Sequence, residues 1–583
     1  MKNEFLKQIN ELYNHVIGLG ELSSKLNEIE DYKKQLGVNV QKMLGEVYFD
    51  EKEDSKENGV IYTPSEISQY ITENTLSKQA IIDNPYVKIA DPACGCGNLI
   101  LPCFLKLQKL FTQNLNEINQ NNDLNLSYED IPCHIIDNNI FGFDIDIYAI
   151  KILLLDLFSI SGYINQNNFF ISDFLLDKTQ MKFDIFIGNP PYVGHKSVTR
   201  QYSGLLKDRY KLIYKDKGDI SYCFFESAIH KLNMGGRLSF ITSRYFIESV
   251  SGTELRKMLK DNFDFIKIVD FYGIRPFKKA RIDPIILFLK KELKEENIIE
   301  IIKPKKNVGK KKDIFCRALY ENNEIDLKKF YIDKNDLNDS GWVLINEKER
   351  HLIKKIEQQC LFTLKDICDS YQGIITGCDK AFVVDSQTIK DENIETEFIK
   401  PWIKNSCVQK KRIIKKDSFI IYSDSINKIE DFPNIKNHIE KYKSKLMNRR
   451  ECISGVRKWF QPQWGRDKNI FEGQKIVFPY KADSNRFALD TGSYFSADIY
   501  CLVLKEYAPF SNEDLLYLLN SKLYEFYFKT FAKKMGEDMY EYYPNTVMKL
   551  CIPYLVDFKE TDEKFLYEFF GLDEEEIKII ENN

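Results

Sequence analysis

The sequence predicts an α/β protein whose larger part is a doubly wound, mostly parallel, Rossmann-like sheet, followed by a second domain of another kind. Three observations carry this. Short apolar runs alternate with helical stretches from residue 87 to residue 293, a glycine-rich turn follows the first run, and polar residues stand where successive runs end. The 583 residues, 43% of them hydrophobic, suffice for several cores at on the order of 150 residues per domain. With 27 glycines and 17 prolines the chain is neither collagen-like nor linker-like. No run reaches the roughly 18 apolar residues of a spanning helix, and the best, residues 150–160, is broken by Asp156. Residues 1–16 mix both charges with apolar residues at helical spacing, unlike a signal peptide, so the expected location is the cytoplasm, with no membrane partner. Thirteen cysteines, an odd number with no repeated CxxC, and six distant histidines predict reduced thiols and no metal site. A net charge of −4 excludes a uniformly basic coat for nucleic acid but allows a local basic face.

Residues 1–58 form the first expected segment. Phe5, Ile9, Leu12 and Val16, then Leu26 and Ile29, recur at spacings of three and four, which predicts two or three short amphipathic helices; the charged run at 51–58 reads as a linker. Residues 59–341 form the α/β domain, with VKIAD (87–91), IFGFDI (140–145) and FDIFIGN (183–189) as strands and NLILPCFLKLQKLF (98–111) and AIKILLLDLFSI (149–160) as helices. The Asn-rich residues 112–128 read as a loop extending the first of these helices. RLSFITSRYF, FIKIVDFYG and DPIILFLKKEL carry the pattern to Leu293, after which the lysine-rich residues 303–313 read as a solvated loop. Residues 342–583 are richer in aromatics, lack a βαβ rhythm and form the second, α+β, domain.

The sharpest chemical signal is Asn189-Pro190-Pro191-Tyr192, directly after the strand FDIFIG, at the end where open α/β sheets place their sites. Two prolines fix φ and remove two N–H donors, which makes a stiff turn of acceptors beside an aromatic ring. Transfer to an exocyclic amine needs this, because that nitrogen's lone pair is delocalised into its ring. The Asn189 side-chain oxygen and the Pro190 carbonyl would hold both N–H hydrogens and aim the lone pair, with Tyr192 stacked on the base. Upstream, DPACGCGN (91–98) follows a strand and opens a helix, with glycines that allow close backbone approach to a ligand. Cys94 and Cys96 read as small-residue packing rather than metal ligands. Asp144 and Asp173, each at a strand end, are placed for a ribose and for an adenine amine, Asp173 with the adjacent ring of Phe174; either acid alone is equally a helix N-cap.

In this order DPACGCGN, FDID, SDF and NPPY resemble the γ-class DNA adenine-N6 methyltransferases. GNPPYVGHK, YKDKGDISYCF, YQGIITGCDKAF, NRRECISGVRKW and QWGR extend the resemblance over residues 59–550 to orphan clostridial members of that class. The resemblance implies a Rossmann-like methyltransferase domain with a C-terminal target-recognition domain. It also implies S-adenosylmethionine as cofactor, released as S-adenosylhomocysteine, and double-stranded DNA as partner. It assigns Tyr62, Thr63, Asp91, Ala93, Gly95, Asp144, Asp173, Phe174 and Asn189 to the cofactor, and Asn189, Pro190, Pro191 and Tyr192 to the target adenine. Asp219 matches a motif near the cofactor. Phe277 matches an aromatic closing the base pocket from the other face, although the following KKARIDP departs from the small and β-branched residues usual there. An adenine inside a duplex must be flipped out to reach such a pocket, at a few kcal/mol, part of which stacking on Tyr192 offsets. Positioning is then the main catalytic term and no metal is required.

His195 reads as a structural or phosphate-contacting residue rather than a base. Residues 196–217, with Lys196 and Tyr202 among several lysines and tyrosines, suit DNA contacts or a solvated helical lid. In the second domain Arg449, Arg450, Arg457, Lys458, Trp459 and Arg466 centre a basic, aromatic stretch suited to phosphates and base edges. The reading is a site-specific methyltransferase acting as a monomer without an obligate protein partner, and without a nuclease, since 58 residues ahead of the first motif are too few for one. A protein glutamine-N5 or an RNA methyltransferase is the alternative, because an amide poses the same lone-pair problem; an inactive cofactor-binding DNA reader is a third.

Overall fold

A strand buried on both faces sends alternate side chains into different layers, so it must be apolar at nearly every position. In the computed structural model this holds for β1 (Ile89–Asp91), β2 (Ile140–Asp144) and β4 (Phe183–Gly188), while β3 (Phe169–Ile171) is the edge strand and leaves Ile171 exposed. Ile89, Ile185 and Ile187 enter one core, and Ala90, Phe143 and Phe186 enter the other. The structure describes residues 2–36, 39, 42–53, 62–194, 197–215, 218–277, 282–308, 311–536, 538–554 and 563–582. It divides into two units, Met1–Leu344 and Ile345–Asn583.

The first unit completes its sheet with β5 (Leu232–Ser243), β6 (Asp264–Asp270), β7 (Pro284–Lys290), β8 (Ile298–Pro304) and β9 (Leu327–Asp333), giving nine strands in the order β3-β2-β1-β4-β5-β7-β6-β8-β9. Strands β3 through β5 in that order are parallel, while β7 runs against both its neighbours. Asp91 pairs with Gly142, Asp144 with Ile171 and Ala90 with Phe186, so β1 to β4 all finish along one edge. The order reverses at β1, between β2 and β4, and that crevice is where open sheets bind ligands.

Helices α1 (Lys2–Ile17), α2 (Leu22–Gln35), α3 (Leu44–Glu53), α4 (Ser65–Thr75), α5 (Ile100–Asn122) and α6 (Ile147–Ser161) contribute to one core, with α7 (Arg200–Arg209), α8 (Ile220–Lys231) and α9 (Thr253–Asn262) on the other. Asp146 caps α6 by accepting the Tyr148 and Ala149 N–H groups, and Gly162, at φ 69°, closes its other end. Asp156 interrupts the apolar run of α6 for a reason: its two oxygens accept the N–H groups of Leu44 and Gly45, each at 2.8 Å, and so satisfy the first turn of α3. Burial raises its pKa to about 6.

Three expectations are corrected. The Asn-rich stretch is helical through Asn122, because buried Leu115 and Ile118 prolong the apolar face of α5 beyond a kink at Asn114. The sheet does not end near Leu293, since β8 and β9 extend it. Lys303 is no solvated loop residue: its ammonium donates to the Leu344 carbonyl at 2.6 Å and lies 3.6 Å from the buried Asp270. Of the expected linker, residues 51–53 belong to α3 and the rest lie outside the described residues, as does the boundary at 58.

The second unit holds two four-stranded sheets. One is antiparallel, in the order Cys368–Gln372, Ile499–Leu504, Lys475–Pro479, Ala488–Asp490; the other runs Val383–Val384, Phe419–Ile421, Ile399–Ile403, Tyr494–Phe495. The antiparallel sheet sends Ile476, Phe478 and Leu502 into one apolar core and Val477, Ala488 and Cys501 into a second, which it shares with the other sheet. Lys475 is fully buried opposite its strand partner Asp490 at 2.7 Å, a charge that only such pairing allows inside. No helix among the described residues is long and apolar enough to cross a membrane.

Candidate active site

The glycine-rich turn leaving β1 is held by the carboxylates on either side of it. Buried Asp91 accepts the Ala93 N–H at 3.0 Å, and Asp144, from the end of β2, accepts the N–H groups of Gly95 at 2.9 Å and Asp146 at 2.8 Å. Burial, with the Asp144 charge adding to it, pushes the Asp91 pKa up to about 7. Gly95 sits at φ 53°, where L residues are strained, and a Cβ there would meet no atom within 4 Å. The turn therefore faces open space, bounded by two acids and backbone N–H groups. That is a cradle for a cationic, ribose-bearing ligand, and S-adenosylmethionine fits it in charge and in donor set.

Asn189 leaves β4 at the same edge. Its Nδ2 donates to the Thr63 hydroxyl at 3.0 Å, which ties Thr63, just ahead of α4, to the site. Its Oδ1 accepts the Tyr192 hydroxyl at 2.5 Å, with the Ile241 carbonyl a longer second acceptor at 3.2 Å. Pro190 is buried and Pro191 half-buried. The turn is anchored downstream where the Ile220 N–H bonds the Val193 carbonyl, and Asp219 caps α8 through the Ser221 N–H at 2.9 Å. Burial raises the Asp219 pKa, and burial with the Asp219 charge holds the Tyr192 phenol well above its ordinary value. Tyr62 is half-buried, its ring 5.2 Å from Phe49 on α3.

Several expected contacts come out differently. Tyr192 is not an unengaged stacking platform, since its hydroxyl occupies the Asn189 oxygen meant for the amine. Phe277 is buried with its ring 6.4 Å from that of Tyr192 and tilted by 48°, a separation at which two rings are themselves in contact at about 4.5–7 Å. A base between them displaces one. The Phe174 ring is buried among Phe143, Phe186 and Phe224, so only its backbone can face a ligand. Tyr202 points inward: its hydroxyl donates to Asp173 Oδ2 at 2.7 Å, while Asp173 Oδ1 takes the Leu175 N–H. Tyr210 and Tyr214 are buried, so these tyrosines pack inward while Lys207, Lys211 and Lys215 stay exposed. His195 and Lys196 lie outside the described residues.

In the second unit the basic stretch separates into braces and exposed cations. Arg449 donates to the carbonyls of Leu446, Thr376, Trp459 and Gln461 at 2.8–3.2 Å. Arg457 pairs with Asp424 at 2.6 Å, and Arg466, at φ 66°, bonds Gly373 O and Gln372. These three hold the fold of the loop and are not available to phosphates as they stand. Trp459 is half-buried beneath the Lys443 ammonium at 4.7 Å. Arg450 and Lys458 are exposed, Lys458 reaching the Asn427 carbonyl at 2.7 Å.

Sequence reasoning missed the part played by α3. The Tyr48 hydroxyl donates to Asp146 at 2.7 Å, and Asp146 in turn leans on Asp144; a Cβ on Gly45 would press on Cys96 at 2.8 Å. The second acid of FDID, two residues after the first, was the available signal.

Comparison with known proteins places these features. Residues 138–277 match the Eco57I restriction-modification methylase family and residues 400–552 the TaqI-like C-terminal specificity domain. The chain is 25% identical to the Type II methyltransferase M.BstVI of Geobacillus stearothermophilus over 400 residues, covering 66% of this chain and 70% of the relative. It is 25% identical to M.BanIII of Aneurinibacillus aneurinilyticus over 518 residues, covering 80% and 83%. The solved Type IIL restriction-modification enzyme MmeI in complex with DNA superposes with a TM-score of 0.55 at 14% identity, over 91% of this chain and 70% of that one. The fold is that of the S-adenosylmethionine-dependent methyltransferases, a mixed α/β domain with a mostly parallel central sheet, followed by a specificity-type domain.

Proposed function

We propose that the protein is a site-specific DNA methyltransferase that modifies N6 of an adenine flipped out of double-stranded DNA. The observation that carries this reading is the Asn189-Pro190-Pro191-Tyr192 turn at the switch point of the sheet, whose Asn189 oxygen already holds a hydroxyl donor in the place of an amine. S-adenosylmethionine, when bound, supplies the methyl group. Asp144, Gly95, Ala93 and Asp91 would hold it at the end of β1, with Thr63 positioned through Asn189. The Asn189 side-chain oxygen and the Pro190 carbonyl accept the two amine hydrogens and fix the nitrogen's direction of attack; Tyr192 turns its ring to the base once its hydroxyl is displaced. No strong general base is needed ahead of transfer, and the extra amine proton leaves afterwards.

The second unit would select the sequence, as the specificity-domain match and the named activities of M.BstVI and M.BanIII support. The chain would act as a monomer, an orphan enzyme of the clostridial kind that methylates without cutting. The test is transfer of labelled methyl from S-adenosylmethionine to unmethylated genomic DNA, RNA and total protein in parallel, with nucleoside mass spectrometry and modification-sensitive sequencing. N6-methyladenine at one short motif in uncut DNA supports the proposal. Label confined to RNA or protein, or 5-methylcytosine or N4-methylcytosine in DNA, would refute it.

A further inference from the structure

Residues 447–458 of the second unit hold three aliphatic side chains in water beside cations. Met447 is 51% exposed, Ile453 75% and Val456 61%. Scattered exposed aliphatics need no explanation, but these stand on a braced turn. The short helix Arg450–Ile453 closes with the Ser454 N–H on the Arg450 carbonyl at 2.9 Å and the Gly455 N–H on Cys452 at 3.0 Å. Gly455 then takes φ 74°, and the Arg457 N–H returns to the Glu451 carbonyl at 3.0 Å. An apolar residue just past such a left-handed glycine commonly folds back onto its helix. Val456 does not. Beneath the turn lie the four carbonyl bonds of Arg449, the Arg457–Asp424 pair and the Ser423 hydroxyl on the Phe460 carbonyl at 2.6 Å. The tip is thus a supported projection, not a frayed loop.

Its flanks are positive. Lys445 and Arg450 are exposed and form no ion pair among the described residues, and Lys458 is exposed beside them in sequence. A purely apolar tip would suit a protein surface. An apolar tip between cations suits duplex DNA, where cations take phosphates and an inserted aliphatic side chain unstacks a base step. We propose that Ile453 and Val456 form a wedge that enters a base step of the bound duplex other than that of the target adenine, with Lys445, Arg450 and Lys458 on the adjoining phosphates. The inference rests on the DNA-modifying reading above and adds to it the element that deforms the site.

The test uses the full chain and duplexes carrying its own modification site, with 2-aminopurine substituted at each position in turn. The unaltered protein is expected to raise fluorescence at the target and at one further step. Ile453→Ala with Val456→Ala is expected to abolish the second signal and to weaken binding by about tenfold or more through lost apolar contact. Ile453→Leu keeps the bulk and should retain both. Both positions are exposed, so the melting temperature should not move. A single unstacked position in the unaltered complex, or unchanged binding and fluorescence in the double variant, overturns the wedge while methylation of the duplex continues. No transfer to duplex DNA by the unaltered chain overturns the DNA-modifying reading itself, and the wedge with it.

Discussion

Replacing Tyr192 by phenylalanine separates the two parts of that side chain, and the structure fixes the sign of the result. In the protein as described, the Tyr192 hydroxyl donates to Asn189 Oδ1 at 2.5 Å. If the target amine uses that oxygen, this bond must break when the base arrives. A net hydrogen bond of this kind is worth about 0.5–1.5 kcal/mol. Tyr192→Phe removes it from the free protein only, so a duplex that delivers its adenine to the site should bind more tightly, by roughly 2- to 13-fold. Folding stability should fall by a similar free energy, because Asn189 Oδ1 loses its partner. Tyr192→Ala removes the ring as well, and loss of base stacking worth about 1–3 kcal/mol should weaken binding by roughly 5- to 160-fold relative to the phenylalanine variant. Fluorescence anisotropy on a duplex containing the modification site, with KM for the same duplex from methyl transfer, gives both quantities. A phenylalanine variant as impaired as the alanine variant would show that the hydroxyl is used in the complex, and the exchange reasoning would be wrong.

Other substitutions probe the remaining parts. Asn189→Ala should abolish methyl transfer while leaving cofactor affinity, read by calorimetry, within a few-fold of the unaltered protein. Gly95→Ala places a Cβ at φ 53° and into the space before the turn; the strain of about 1–2 kcal/mol lowers stability, but cofactor affinity should fall further than that strain accounts for. The Asp91 carboxyl stays protonated in the folded protein up to about pH 7 but ionises near 3.8 in the unfolded chain, so folding takes up a proton between those values. Its contribution to stability therefore declines as pH rises from 3.8 to about 7 and is level above, and Asp91→Asn should flatten that part of a denaturation-versus-pH curve. Arg449→Ala should lower the melting temperature because it strips donors from four backbone carbonyls. Arg450→Ala should leave melting unchanged and reduce the slope of log affinity against log salt by about 0.9, one phosphate contact; equal slopes for the two arginine variants and the parent would remove Arg450 from the interface.

How far the sequence was legible depends on what each residue answers to. Short continuous apolar runs and strand-end acids announced the parallel half of the sheet, because burial on both faces leaves little choice of residue at Ile89, Ala90, Ile185 and Phe186. Strands β8 and β9 escaped because β9, LKKFYID, is a partly exposed edge whose lysines dilute the apolar signal. The motifs singled out Asp91, Asp144, Asp173 and Asn189, and the first, second and fourth stand at the ends of β1, β2 and β4. What motifs do not carry is the partner each group has before a ligand arrives, so Tyr192 on Asn189 and Tyr202 on Asp173 came only from coordinates. Arginine is the clearest case of ambiguity. Arg449 and Arg450 are neighbours of one type, and only burial distinguishes the one that binds its own backbone from the one left to solvent.

Those two tyrosines bear on how such a site gains specificity. A buried acceptor left without a donor costs about 1–3 kcal/mol, so a protein that exposes acceptors only to a transient ligand must satisfy them in the meantime. Here Tyr192 does so for Asn189 and Tyr202 for Asp173. Arrival of a base or a cofactor amine is then an exchange of one hydrogen bond for another, with little net gain from the bond itself. The gain has to come from what the displaced side chain does next and from contacts remote from the amine. For Tyr192 that is stacking against the base. For Tyr202, on α7, it has to come from contacts other than the bond to Asp173. A ligand that supplies the amine and a ring but no phosphates to engage recovers only the stacking, so free adenine should be a poor methyl acceptor beside a duplex even though it carries every hydrogen that Asn189 and Pro190 can hold.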